Sequence, residues 1–222
     1  RPAFAAAWEV DQFDWPKTCD ELLAKSGQEF QLAAARFKAA TAEGLRVLAV
    51  TSLMRREGRS TVAMSLARAA ANEGVRVALV DADLDHPQLG LSVGFEATSG
   101  WSEAVTDNLP LGETAVSSVS DRLTLFPLVS GQSRRPLALN SPSVTELIDE
   151  LTRCFELVII DMGPLTGPAE RGFEGGLRCP LDAAILVRDV RLTSHDQAVH
   201  AARQLRHAGV GAVGIVENFV LH

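Results

Sequence analysis

A single doubly wound α/β domain, with a mostly parallel sheet and helices on both faces, is what the sequence predicts. Short unbroken apolar runs suited to strands buried on both faces alternate with helix-period segments from residue 46 to the end. Several of these runs close on polar or acidic residues, as strands do when a ligand crevice lies beyond their carboxyl ends. The 222 residues are 46% hydrophobic and 22% charged, enough apolar material for one sizeable core. Residues 1–27 are expected to form an aromatic N-terminal arm and residues 28–222 the domain.

The elements follow in order. Residues 1–25 carry Trp8, Phe13, Trp15 and Pro16 among charges without clean periodicity. The arm is expected to fold back on its own domain, burying at least one Trp. Residues 28–42 are Ala-rich and helical, with Gly44 ending the run. Residues 46–52 are a buried strand, 53–58 a loop, and 60–72 a helix closed by Gly74. Residues 75–80 form a second strand ending on Asp81 and Asp83, and a third is expected around 123–128, before a Gly/Ser/Arg/Pro loop that holds Arg134 and Arg135. Ser141 or Ser143 caps a helix over 144–153. Residues 155–160 make a strand ending on Asp161. A strand over 182–188, a helix over 194–207 and a last strand over 212–216 complete the chain, with Asp182 capping the loop before its strand.

The chemistry gathers at three strand ends. Thr51 and Ser52 lead into a loop and then Glu57, Gly58, Arg59, Ser60 and Thr61, which open a helix. A strand, a loop and a helix N-terminus bearing Gly, a base and hydroxyls is a phosphate-binding geometry: backbone N–H groups and the helix dipole supply positive potential, and a hydroxyl can hold Mg²⁺. Asp81, Asp83 and Asp161 at neighbouring strand ends supply carboxylates for a metal's waters and for positioning an attacking group.

In this chain order the residues resemble the cytoplasmic ATPase domain of bacterial tyrosine kinases, the capsular and exopolysaccharide regulators within the MinD/ParA-like branch of P-loop NTPases. The likeness runs from about residue 29 to 220. It rests on 47–52 with 57–61 as first strand and P-loop, DADL at 81–84 followed by Pro87 as the second acidic motif, and 157–161 followed by Pro164 as Walker B. Residues 181–187, Thr193 and 214–218 resemble the closing strands. The resemblance implies that Asn218 faces a nucleotide base, that Ser60 and Asp81 hold Mg²⁺, and that Asp81, Asp83 and Asp161 are the catalytic carboxylates of an active form. It also implies a membrane-embedded polysaccharide chain-length or export protein as partner. The location it implies is cytoplasmic, at the inner face of the membrane through that partner or through a segment upstream of Arg1, since the chain does not open on Met.

Departures from the pattern are as informative. Leu53 stands at the first P-loop glycine, Arg55 and Arg56 where the kinases carry Pro-Gly and the partition proteins Gly-Gly, and Arg59 at the lysine. Met54 stands at the partition proteins' second lysine. The only lysines are Lys17, Lys25 and Lys38, so no lysine replaces the missing one. A forked, planar guanidinium is not equivalent to a compact ammonium at a terminal phosphate. The oligomerising ExxRxxR helix keeps Glu29 but has Leu32 and Ala35, Asp85-His86 stands where Arg is common, and the chain has no tyrosine. The expectation is a degenerate, catalytically weak regulatory or scaffold domain, a pseudoenzyme with weak or absent Mg-ATP and Mg-ADP binding, monomeric or dimeric rather than a ring. The alternatives are an active kinase or ATPase acting on another protein's tyrosine, with Arg59 on phosphate, and a MinD/ParA-like positioning ATPase.

Other features narrow the field. A net charge of −7 argues against a nucleic-acid-binding face. Cys19, Cys154 and Cys179 lack CxxC spacing and read as incidental thiols. His86, His195, His200 and His207 form no metal set. No apolar run reaches the length of a membrane span.

Overall fold

The computed structural model describes residues 3–129, 141–166 and 181–220; Arg134, Arg135 and Cys179 lie outside them. The strands are β1 (Trp8–Val10), β2 (Val47–Ser52), β3 (Val77–Ala82), β4 (Val116–Ser118), β5 (Leu123–Phe126), β6 (Leu157–Met162), β7 (Ala183–Asp189) and β8 (Ala212–Asn218). They form one sheet in the order β1-β4-β5-β3-β6-β2-β7-β8, parallel throughout except for the β4–β5 pair. The helices are α1 (Lys17–Glu43), α2 (Arg59–Asn72), α3 (Leu89–Ser92), α4 (Trp101–Thr106), α5 (Pro142–Cys154) and α6 (His195–His207), with a 3₁₀ turn at Leu111–Thr114. This is the doubly wound α/β fold the sequence predicts.

Strand alternation divides the core in two. Leu48, Val50, Val77, Leu79, Leu157 and Ile159 face α1 and α2, while Val47, Ala49, Ala78, Val80, Val158 and Ile160 face the side covered by α4, α5 and α6. The central strands β2, β3 and β6 are buried at every position, which is why their sequences read as continuous apolar runs rather than alternations. Helix ends follow the expected chemistry: Gly44 is left-handed after α1 (φ 116°), and Ser141 accepts the Val144 N–H at the start of α5.

Some elements differ from the sequence reading. Helix α1 begins at Lys17, not residue 28, and kinks at Ser26 (φ −124°, ψ 32°). Ser26 and Gly27 weaken local propensity there, but Cys19, Leu22 and Leu23 pack on the core, and tertiary burial overrides propensity. Strands β1 and β4, three residues each, are too short to carry a period. The Asp182 carboxylate accepts the N–H groups of Arg46 (2.7 Å) and Val47 (2.8 Å) and so fixes the start of β2, while the loop it was expected to cap lies largely outside the described residues.

The aromatic segment lies across the domain. Phe13 and Trp15 are buried and Trp8 is half exposed. Asp121 accepts the Phe13 N–H and the Trp15 Nε1–H, each at 2.9 Å, and the Ser118 hydroxyl at 2.6 Å. Trp8–Val10 runs parallel to β4 as the sheet's edge.

Candidate functional site

The central order β3-β6-β2 brings the three acidic or hydroxyl-bearing strand ends side by side. Asp81 of β3 stands in register with Asp161 of β6, which pairs in turn with Val50 of β2. The loop after β2 climbs over this edge and ends at Gly58, whose φ of 85° starts α2. Glycine is required twice over at this point. The left-handed backbone disfavours a side chain, and a Cβ would lie 2.1 Å from Asn218 Nδ2. Asn218, at the end of β8, donates to the Glu57 carbonyl at 3.1 Å, so the last strand is tied to the loop. Arg56 also has a positive φ (68°), at the position where the resemblance places glycine. The loop has thus kept the backbone turn and lost the residue that makes it without strain.

Arg59 is the centre of the site. Its Nε donates to Asp161 Oδ1 at 2.9 Å and its terminal NH2 to Asp83 Oδ2 at 2.7 Å, and only 10% of the side chain is exposed. Burial opposes the charge, but Asp161 and Asp83 outweigh it and hold the guanidinium above the ordinary arginine value. Arg55 approaches the same Asp83 oxygen at 3.6 Å and reaches Asp85 at 3.1 Å. Asp161 is pushed up by burial, against the pull of Arg59 and a hydrogen bond from the Ser60 side chain. Asp81 accepts the N–H groups of Gln88 and Leu89 at 2.9 Å each, yet burial and the neighbouring Asp161 charge push its pKa up to about 7.

Glu57 turns inward rather than toward a ligand. It is fully buried, and its two oxygens accept the Met54 N–H (2.7 Å) and the Asp189 N–H (3.1 Å), joining the loop to the end of β7. Thr61 shows its carbonyl to the Cys19 thiol at 3.8 Å. The structure therefore brings Glu57, Gly58, Arg59, Ser60, Asp81, Asp83, Asp161 and Asn218 to one edge, with Thr61 one step along α2 toward α1.

One contributor escapes sequence reasoning. Trp101, 1% exposed, donates its Nε1–H to the Asp81 carbonyl at 2.6 Å, a contact made across the sheet edge that no local spacing announces.

A family model described as ParA, the NUBPL iron-transfer P-loop NTPases, matches residues 45–222. The chain belongs to the ParA family of P-loop NTPases. It is similar to the tyrosine-protein kinase CpsD of Streptococcus agalactiae, 25% identical over 178 residues that cover 79% of this chain and 76% of the relative. Its fold matches the tyrosine kinase domain of BceF with a TM-score of 0.70 at 20% identity, covering 98% of this chain and 93% of that one. It also matches the septum site-determining protein MinD of Pyrococcus horikoshii, solved with Mg-ADP, with a TM-score of 0.65 at 19% identity over 78% of this chain and 70% of that one.

The family implies a nucleotide with Mg²⁺, and the residues present do not fit that pair in this arrangement. The basic side chain that would meet phosphate is held by two carboxylates. One loop N–H is taken by Glu57.

Proposed function

We propose that this chain is a degenerate, catalytically weak member of the family, serving as a regulatory or scaffold domain in capsular or exopolysaccharide assembly rather than as a working kinase. The observation that carries this reading is the Arg59 bridge between Asp83 and Asp161, which spends the site's phosphate-binding cation on its own acids. The loop departures at Leu53, Arg55 and Arg56 support it, because glycine lets a backbone approach phosphate closely and these side chains do not. Gly58, Ser60, Thr61 and Asn218 keep the family's frame; in an active form Asp81, Asp83 and Asp161 would be its catalytic carboxylates, and Ser60 and Asp81 would hold Mg²⁺ if it bound.

On this reading a membrane-embedded chain-length or export protein is the partner, and residues 1–27 are an arm laid on the domain of residues 28–222. No helix among the described residues is long and apolar enough to cross a membrane. The three cysteines form no CxxC pair.

A radiolabelled-ATP assay of hydrolysis and of transfer to an added tyrosine-bearing substrate tests the proposal. Turnover no faster than that of Asp81→Asn is expected. Steady turnover that Asp81→Asn abolishes would establish the chain as an active enzyme instead.

A further inference from the structure

We propose that Arg59 stands in for the divalent cation at this site, so that the site excludes Mg²⁺ and whatever phosphate compound it does accept is bound without metal. The inference rests on the reading of residues 47–61 as a nucleotide loop, and it names how that site is regulated.

Its basis is where the carboxylate oxygens are spent. Asp83 Oδ2 accepts from Arg59 at 2.7 Å, and its Oδ1 faces the N–H groups of Asp85 (3.3 Å) and His86 (3.2 Å). Asp161 Oδ1 accepts from Arg59 at 2.9 Å. Asp81 Oδ2 accepts from Gln88 and Leu89, and its Oδ1 from Asp83 at 3.3 Å. Both Asp81 oxygens are thus turned to backbone N–H groups, and a divalent ion drawn instead to Asp83 and Asp161 would have to sit beside a fixed positive charge that already pairs with them.

Guanidinium suits this role in a way ammonium does not. It is planar and permanently charged, and its fork reaches two carboxylates at once. Here those carboxylates are on different elements: Asp161 ends β6, and Asp83 lies just past β3. Arg59, at the first position of α2, therefore cross-links three segments, as a bound metal would.

The test uses Mn²⁺ as the probe, with the full chain and no nucleotide, and reads the loss of free-ion paramagnetic resonance signal on binding. Wild type is expected to leave the signal unchanged into the millimolar range. Arg59→Gln removes the charge and leaves a shorter amide that cannot bridge both acids, and it is expected to bind Mn²⁺ at least about tenfold more tightly than wild type. Micromolar binding by wild type, or a folded Arg59→Gln protein with wild-type Mn²⁺ affinity, overturns the proposal. Should Arg59→Gln not fold, the wild-type titration still decides. Because these titrations contain no nucleotide and no turnover, they succeed or fail independently of the proposed function.

Discussion

Replacing Asp81 by Asn should flatten the protein's dependence of stability on pH. Asp81 is 1% exposed, stands in register with Asp161, and has its pKa raised from 3.8 to about 7 by burial first and by the Asp161 charge second. The folded state then holds the proton more tightly than the unfolded chain. The stabilisation is fully present below the unfolded value and is lost as pH rises through about 7. A shift from 3.8 to about 7 corresponds to about 4 kcal/mol in all. Between pH 6 and pH 8 the linkage relation leaves about 1–2 kcal/mol of that change to be observed. Asn in this place can still accept the Gln88 and Leu89 N–H groups through its amide oxygen while bringing no charge into the sheet edge. Urea denaturation followed by tryptophan fluorescence at pH 6, 7 and 8 is the assay. Wild type should lose about 1–2 kcal/mol more than Asp81→Asn across that range. Equal losses in the two proteins, or greater stability of wild type at pH 8, would refute the account of a buried, reluctantly ionised Asp81.

Three other outcomes are expected. Asp121→Ala removes the acceptor for Phe13 N–H and Trp15 Nε1–H; it should lower stability by about 1–3 kcal/mol and red-shift tryptophan emission, while deletion of residues 1–16 should leave a cooperative transition at a lower midpoint. Arg56→Gly relieves a positive φ of 68°, and the strain it removes exceeds the chain entropy glycine adds, so a gain of up to about 1 kcal/mol is expected in the same denaturation assay. In light scattering the chain should run as a monomer or a two-fold dimer, because Leu32 and Ala35 stand where the resemblance to the tyrosine kinases places the arginines of an oligomerising helix; a closed ring would show assembly through other contacts.

The parts of the fold that were legible in the sequence share a physical cause. β2, β3 and β6 are buried on both faces, so their apolar runs needed no partner to be recognised, and Asp81, Asp83 and Asp161 declared themselves by ending or following those runs. Gly58, Arg59 and Ser60 were legible because a phosphate loop is a local motif. What stayed hidden depends on contacts between distant segments. Three-residue strands such as Trp8–Val10 exist only because β4 lies beside them. Asp121 gains its meaning from a Trp 106 positions away, and Trp101 from a carbonyl on β3. The loop position of Glu57 is legible in the sequence, but its inward turn onto Asp189 follows from the neighbouring β7, which no pattern near residue 57 reveals. The consequence of Arg59 was visible only as a lost lysine; that it bridges two acids is a fact of the folded edge.

Calorimetric titration of the wild-type chain with Mg-ATP and with Mg-ADP bears most directly on whether Arg59 has closed the site from within. Loss of a charge-assisted phosphate contact lowers affinity by roughly a hundredfold or more, so heats indistinguishable from dilution at micromolar nucleotide are expected for both ligands. Saturable micromolar binding of Mg-ATP would contradict the account, because the guanidinium would then have to leave Asp83 and Asp161 readily.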